Sequence, residues 1–163
     1  MQRHRFNGLT FMISGHVNMQ RFDPKIVELI PHRPPMLLIN KLDDVSEKRS
    51  QATVFIDEQT PFYQAENGVP AWVGLEYMGQ TAALIAGHQV LAGLSEPHLG
   101  FLMGSRKYES NVEYFTPQSE LSIVCEEAAL VGESLATFKC SISNSQTQAI
   151  LATALLSVFR KPL

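Results

Sequence analysis

Charge is scarce in this sequence. Charged residues make up 18% of the 163 residues, below the share of about 25% that is usual in soluble domains. The 13 lysines and arginines are outnumbered by 16 aspartates and glutamates, which gives a formal net charge of -3. A chain without a basic excess can neutralise few phosphates, so nucleic acid is not an expected partner. The low charge also favours an apolar surface that a second subunit covers.

Cysteines and long apolar runs are few as well. Cys125 and Cys140 are the two cysteines, and they lack the paired spacing of a zinc or redox motif, so no metal or other cofactor is expected. The longest apolar segment is interrupted by Glu76, Gln80 and His88. It is therefore too short to span a membrane.

The N-terminal segment has no organised pattern. Residues 1–18 contain no sustained apolar stretch and no small-residue cleavage site, so they are not expected to be a signal peptide. We expect these residues to be a disordered extension, with Met19 as an alternative start. Residues 19–163 then form one cytoplasmic domain, which is an ordinary domain length.

The order of the predicted elements indicates the fold class. The pattern predicts a short helix, two strands, one long buried helix and four further strands, at 24–30, 36–40, 51–56, 71–92, 100–109, 121–130, 134–143 and 149–159. Because strands and helices do not alternate, the sheet should be antiparallel and packed on a single helix. This α+β arrangement, one sheet wrapped around one long central helix, is the hotdog fold.

Two polar residues interrupt the long apolar helix. Glu76 and Gln80 are four residues apart, so they share one face and can hydrogen-bond to each other. A carboxylate buried in an apolar helix costs free energy unless it is paired or functional. The pair is therefore either a catalytic acid with its neighbour in a pocket, or a polar network that ties the helix to the sheet.

Two motifs resemble those of a known enzyme family. LIPHRPPMLLI at 29–39 resembles the LPHRxPxLLxD opening of bacterial dehydratases of the FabZ type, and LEYMGQTA at 75–82 resembles their LExMAQ motif. Similar segments follow in the same order at 100–107 and 116–117, so the resemblance extends over about 22–159. It implies a hotdog dimer that dehydrates 3-hydroxyacyl thioesters carried by acyl carrier protein.

The resemblance implies roles for several residues. In that family the helix glutamate, here Glu76, exchanges a proton at the β-hydroxyl, and Gln80 would orient it. Backbone N–H groups at the start of the helix hold the thioester carbonyl, which assigns substrate binding to Gly68 and Val69. Trp72 lies near the expected mouth of the pocket, where it either fills the core or borders an acyl chain.

The family's catalytic histidine is missing. Its FxGHxPGxP pattern is replaced by FYQAENGVP at 62–70, which puts Glu66 at about the place of the histidine. Glu66 is one candidate base, although a loop glutamate is more often solvated. His32 is the other candidate, although it belongs to a motif that conventional dehydratases have beside their catalytic histidine. We therefore expect His32 mainly to hold the N-terminal loop, with catalysis as the alternative.

These departures resemble one branch of the family and leave three functions open. GVPAWVGLEYMGQ at 68–80 resembles the ApeP-like subunits of aryl polyene clusters, which can accompany a conventional dehydratase subunit. The chain is then a dehydratase acting on acyl carrier protein in fatty acid or aryl polyene biosynthesis, a thioesterase with the same helix carboxylate, or a catalytically degenerate partner. A homodimer and a heterodimer with a conventional subunit are both expected alternatives.

Overall fold

The computed structural model describes residues 18–163 of the chain. The predicted extension at 1–18 lies outside the described residues except for Asn18. The helices and strands are α1 (Pro24–Leu29), β1 (Lys41–Val45), β2 (Arg49–Phe55), β3 (Val69–Pro70), α2 (Gly74–Leu91), β4 (His98–Ser105), β5 (Glu109–Ser110), β6 (Tyr114–Phe115), β7 (Glu120–Val131), β8 (Leu135–Asn144) and β9 (Ile150–Pro162).

One antiparallel sheet dominates the described residues. Its strand order is β1-β2-β7-β8-β9-β4, and the short β5 also pairs with β9. Strands β3 and β6 form a separate two-stranded sheet. Helix α2 packs against β7, β2 and β8, so the large sheet wraps around a single long helix. The predicted α+β hotdog architecture is confirmed.

The end of α2 follows from local backbone chemistry. Gly93 has a φ of 71°, a left-handed conformation that glycine adopts without steric cost. The Gly93 N–H donates to the carbonyl of Val90 at 3.1 Å, and the Leu94 N–H donates to the carbonyl of Gln89 at 2.8 Å. These two bonds make a Schellman motif. The glycine predicted to end this helix does so.

The first predicted strand is wrong. Residues 36–40 form no strand, although Leu37, Leu38 and Ile39 are all buried. The N–H of Leu38 bonds to the side chain of Gln80 at 2.8 Å rather than to another strand. Strand β1 instead runs over Lys41–Val45, directly after the predicted segment.

The core lies between the inner face of the sheet and one side of α2. The inner-face side chains of β7, β8 and β9 and the packed side of α2 are buried, for example Leu121, Ile123, Phe138, Ile142, Leu156, Tyr77, Met78, Leu84 and Ile85. The other side of α2 is only half-buried, which corrects the expectation of a helix buried all round.

Cys125 and Cys140 are buried and form no disulfide. No helix within 18–163 combines the length and the apolar character needed to cross a membrane.

Candidate active site

A cavity of about 500 Å³ lies along the half-buried side of α2. Helix α2 forms one wall, the end of α1 forms a second, and β4 with β9 forms the third. Most of the lining is apolar, from residues such as Leu29, Gly79, Ala83, Val90, Leu102 and Val158. Small-molecule sites in proteins are typically cavities of about 300–1,000 Å³ lined in this way. The cavity is therefore the candidate active site.

A glycine allows α1 to form this wall. A Cβ atom added at Gly87 would lie 2.0 Å from the backbone carbonyl oxygen of Leu29. No side chain fits in that gap, so α1 approaches α2 this closely only because residue 87 is glycine. This contact places the loop that follows α1, with His32, beside the first turns of α2.

The loop after α1 is held by Arg33. Its guanidinium donates from Nη1 to the carbonyls of Ile30 at 2.8 Å and His32 at 2.7 Å, and from Nη2 to the carbonyl of Val27 at 3.1 Å. Carbonyls at a helix C-terminus have no intrahelical donor, and a cation there is favourable. Arg33 therefore does the structural work that was expected of the His32 side chain.

Gln80 joins this loop to α2. It is fully buried, and its side-chain Nε2 donates to the carbonyl of Met36 at 2.7 Å and to Oε1 of Glu76 at 3.0 Å. Its own Oε1 accepts the N–H of Leu38 at 2.8 Å. The hydrogen bond between Gln80 and Glu76 that the four-residue spacing predicts is present. The same amide also ties the helix to the loop at Met36 and Leu38, so the polar network is present but reaches a loop rather than the sheet.

Glu76 faces the cavity from the first turn of α2. Its side chain is 36% exposed, which corrects the expectation that it is fully buried. The N-terminal turn of a helix favours a negative charge because the backbone N–H groups point toward it. Its Oε1 lies 3.8 Å from Nε2 of His32. The carboxylate is therefore held by Gln80 and open to a ligand.

His32 lies across from Glu76 in the cavity wall. Burial lowers the pKa of its imidazole below the ordinary value of 6.5, and Arg33 lowers it further, although the Glu76 carboxylate acts in the opposite direction. Its Nδ1 is buried and finds no hydrogen-bond partner among the described residues. A neutral imidazole can accept a proton from a ligand at the ring nitrogen that carries a lone pair.

The structure does not bring Glu66 to this site. Glu66 is exposed, in a tight turn with a φ of 74°. It lies outside the cavity lining, and no contact joins it to Glu76 among the hydrogen bonds of the described residues. Within one chain, His32 rather than Glu66 accompanies the helix carboxylate.

The helix does not open at Gly68 and Val69, so that expectation is wrong. Gly68 donates its N–H to the carbonyl of Gln64 at 2.9 Å. Val69 belongs to β3 and is paired with Phe115 of β6. A local turn therefore takes Gly68 and a pairing with a distant strand takes Val69, so neither residue stands at a helix terminus.

The first backbone N–H groups of the helix belong to Ala71 and Trp72 rather than to Gly68 and Val69. A turn of 3-10 helix runs through Ala71–Val73 and leads into α2. The N–H groups of Ala71 and Trp72 are the first two of that turn, so no carbonyl within the turn can accept them. The Ala71 N–H donates to the carbonyl of Glu113 at 2.9 Å, which leaves the Trp72 N–H, about one turn before Glu76, without an acceptor among the described residues. The sequence contains no local signal for this arrangement.

The Trp72 side chain is not part of the cavity lining. Its indole is 63% exposed and packs edge-on against Phe62, with the ring centroids 5.4 Å apart. In the single chain, Trp72 therefore neither fills the core nor borders the cavity.

Comparison with known proteins agrees with the fold. A family model for ApeP-like proteins, described as ApeP dehydratase, matches residues 24–162. The chain belongs to the ApeP-like dehydratase family. The match extends from the first residue of α1 to the last of β9, so it includes every cavity wall and both His32 and Glu76. The resemblance to this branch of the dehydratases is confirmed, and with it a dehydratase-type function.

Solved structures share the fold of this ApeP-like dehydratase. A chain of the dehydratase heterocomplex ApeI:P from Xenorhabdus doucetiae is 27% identical with a TM-score of 0.73, over 85% of this chain and 91% of that chain. The E. coli PaaI protein from the phenylacetic acid degradation operon is 13% identical with a TM-score of 0.59, over 74% and 82%. A hypothetical thioesterase from Streptococcus pneumoniae, solved with coenzyme A, is 11% identical with a TM-score of 0.58, over 75% and 85%. The last two show a shared fold alone. The search of curated proteins finds no match.

Proposed function

We propose that this ApeP-like dehydratase removes water from 3-hydroxyacyl thioesters carried by acyl carrier protein, in fatty acid or aryl polyene biosynthesis. The observation that carries the proposal is the 3.8 Å approach of His32 Nε2 and Glu76 Oε1 in the wall of an apolar cavity. Elimination of water from a β-hydroxy thioester needs a base at the α-carbon and an acid at the β-hydroxyl. The cavity offers one group for each task and room for an acyl chain.

The steps follow from the positions of these groups. The cycle starts with Glu76 as the carboxylic acid and His32 as the neutral imidazole. The neutral imidazole takes the proton from the α-carbon, and negative charge develops on the thioester oxygen. The N-terminal end of α2, where backbone N–H groups concentrate partial positive charge, is proposed to stabilise that charge. The bond between the β-carbon and its oxygen then breaks, the double bond forms, and the hydroxyl leaves as water with the proton of Glu76. The proton on the imidazole returns to the Glu76 carboxylate and completes the cycle.

Gln80 is proposed to position Glu76. Its amide is itself fixed by the Met36 carbonyl and the Leu38 N–H. A donor held rigidly at one carboxylate oxygen limits the rotation of the carboxyl group, and such positioning is needed for efficient proton transfer. Gln80 thus acts through Glu76 and does not touch the substrate.

The edge of the sheet formed by β4 supports assembly with a second subunit. The β1 edge carries charged side chains, among them Lys41, Asp43 and Asp44. The β4 edge has no Asp, Glu, Lys or Arg and exposes Phe101 at 48% and Met103 at 67%. Charged edges resist pairing, whereas an uncharged apolar edge is a template for another strand. We propose that β4 pairs with a second copy or with a conventional dehydratase subunit, as the ApeI:P heterocomplex suggests.

A partner also offers a second source for the base. A conventional dehydratase subunit would bring the family histidine that this chain lacks, and His32 would then be dispensable. The two sources of the base predict different mutant behaviour. In the first case the chain alone is active and His32 is needed; in the second, activity appears only in the mixed assembly and survives loss of His32.

The test is an assay with product identification. The purified chain, alone and co-purified with a conventional subunit, is given a 3-hydroxyacyl acyl carrier protein, and enoyl product and free carrier thiol are both followed by mass spectrometry. Enoyl product supports the proposal. Free thiol without enoyl product would instead make the protein a thioesterase, and neither product in either assembly would make it a degenerate partner. His32→Gln is compared with His88→Gln, whose histidine lies on α2 outside the cavity lining.

A further inference from the structure

Tyr108 holds the start of the helix that carries Glu76. Its hydroxyl donates to the backbone carbonyl of Ala71, 37 residues earlier in the chain. Ala71 begins the 3-10 turn that leads into α2, and Glu76 lies in the first turn of α2. The proposed reaction uses this end of the helix, but none of its steps involves Tyr108.

The sheet fixes Tyr108 in turn. Tyr108 lies between β4 and β5, and both of these strands pair with β9. Ser105 pairs with Leu156 before it. Glu109 pairs with Thr153 after it. The backbone of Tyr108 is therefore anchored on both flanks, so its hydroxyl is a donor with a fixed origin.

A glycine at the first residue of α2 makes room for this hydroxyl. A Cβ atom added at Gly74 would lie 2.6 Å from the hydroxyl oxygen of Tyr108, so no side chain fits between them. Burial raises the pKa of the Tyr108 hydroxyl to about 12. The group therefore stays protonated at neutral pH and remains a hydrogen-bond donor.

The hydrogen bond from Tyr108 sets the direction of one peptide unit. The Ala71 carbonyl also accepts the Gly74 N–H, and the Ala71 N–H donates to the carbonyl of Glu113 at 2.9 Å. The Ala71 carbonyl and the Trp72 N–H belong to the same planar trans peptide, so they point in opposite directions. A donor that holds this carbonyl therefore also directs the Trp72 N–H.

This peptide unit contributes to the partial positive charge at the N-terminal end of α2, which is concentrated in the first N–H groups of a helix. A hydroxyl that donates to a carbonyl polarises the whole peptide and strengthens the N–H on its other side. Negative charge develops on a thioester oxygen only as the α-proton leaves. A fixed positive end therefore lowers the barrier without tightening the binding of the substrate.

We propose that Tyr108 is a positioning residue, which acts on the reaction through the peptide between Ala71 and Trp72 at the N-terminal end of α2. The inference rests on the proposed function, since it assumes that a thioester carbonyl lies at this end of the helix beside Glu76. Tyr108 itself does not touch the substrate. Its loss should lower kcat and leave KM unchanged, because the charge that it helps to stabilise exists only in the transition state.

The first test observes the carbonyl of a bound probe and needs no turnover. The probe is a saturated acyl-pantetheine ketone, in which a methylene group replaces the sulfur and an isotope label marks the carbonyl carbon, so it is neither dehydrated nor hydrolysed. Partial positive charge at the oxygen weakens the C=O bond and lowers its infrared stretching frequency. Tyr108→Phe removes only the hydroxyl, so the bound probe should absorb at a higher frequency in this variant than in the wild type.

Tyr77→Phe is the matched control. The Tyr77 hydroxyl is also buried beside the start of α2, but it has no hydrogen-bond partner among residues 18–163. Its removal should leave the carbonyl frequency unchanged. All spectra are taken on folded protein in its native oligomeric state, so a difference in melting temperature between the variants does not affect the comparison.

The second test is the effect on kcat and KM in the assembly that forms enoyl product. We expect Tyr108→Phe to lower kcat about tenfold, the equivalent of about 1.4 kcal/mol. KM should stay within about twofold. The melting temperature should change by only a few degrees, because the Ala71 carbonyl keeps its bond from the Gly74 N–H. Tyr77→Phe should change neither kcat nor KM.

Each other outcome has a defined meaning. The same carbonyl frequency in the wild type and in Tyr108→Phe, or a wild type that does not bind the probe, would overturn the inference. So would a lower melting temperature with unchanged turnover per folded molecule, since Tyr108 would then be a structural residue alone. A frequency that responds to Tyr108→Phe in a protein that forms no enoyl product would refute the proposed function and leave the positioning of the helix end standing.

Discussion

Replacing Gln80 by methionine should separate its buried hydrogen bonds from its volume. Methionine has a similar length and no strong donor or acceptor, so Gln80→Met removes all three bonds of the amide. The N–H of Leu38 is buried and would be left unpaired, which costs about 1–3 kcal/mol. The bonds to the Met36 carbonyl and the Glu76 carboxylate reach groups closer to solvent and contribute about 0.5–1.5 kcal/mol each. We therefore expect a loss of about 2–6 kcal/mol in the free energy of unfolding.

The loss is measurable by urea and thermal unfolding followed by circular dichroism. For a domain of this size, about 2–4 °C of melting temperature corresponds to 1 kcal/mol, so a fall of about 4–24 °C is expected. Gln89→Met is the matched control, because the Gln89 amide donates to the carbonyl of Glu47 at an exposed position. Its loss should be below about 1 kcal/mol. If the two variants unfold at the same urea concentration, Gln80 does not hold the loop as described.

Three further predictions concern pH, helix packing and assembly. Burial lowers the His32 pKa below 6.5, so the unfolded chain binds more protons than the folded chain near and below that pH. The free energy of unfolding should therefore fall as the pH drops from about 8 to 5. His32→Gln should flatten that slope in urea unfolding. Gly87→Ala should lower the free energy of unfolding by about 1–3 kcal/mol or more, because its Cβ meets a backbone oxygen of α1. Gly79→Ala makes only an ordinary contact, so it should raise the free energy of unfolding by up to about 1 kcal/mol through helix propensity. Leu99→Lys on the β4 edge should shift the mass in light scattering toward a single chain, and Leu130→Lys, an exposed leucine of β7, should not; unchanged assembly in both would remove β4 from the interface.

Features fixed by local sequence could be predicted. The length of α2 follows from an apolar segment with few β-branched residues, and its end follows from the left-handed Gly93. The hydrogen bond between Glu76 and Gln80 follows from helical spacing alone. Each depends on residues that are close along the chain, where helical geometry sets which side chains meet.

Features that depend on distant partners could not be predicted. The apolar run at 36–39 is typical of a strand, but the N–H of Leu38 bonds to the amide of Gln80, which is distant along the chain. Gly68 and Val69 are expected at the start of a helix. In the structure Gly68 closes a turn with Gln64, and Val69 pairs with Phe115 of β6. The position of His32 depends on two tertiary contacts. Arg33 donates to carbonyls at the end of α1, and Gly87, which has no Cβ, allows α1 to pack closely against α2. In each case a tertiary contact decides between two local structures of similar propensity.

The most direct test of the proposed chemistry is Glu76→Gln, with turnover and melting temperature measured on one preparation. The chain is assayed alone and, if it is inactive alone, beside a conventional dehydratase subunit whose own helix glutamate is replaced by glutamine. We predict that enoyl formation falls by about 10²–10⁴-fold, the usual share of one acid or base, with a melting temperature within a few degrees because the amide keeps the shape and the bond to Gln80. Glu66→Gln, an exposed glutamate outside the cavity, should retain its activity. Full turnover in Glu76→Gln, with or without a change in melting temperature, would contradict a catalytic role for this carboxylate.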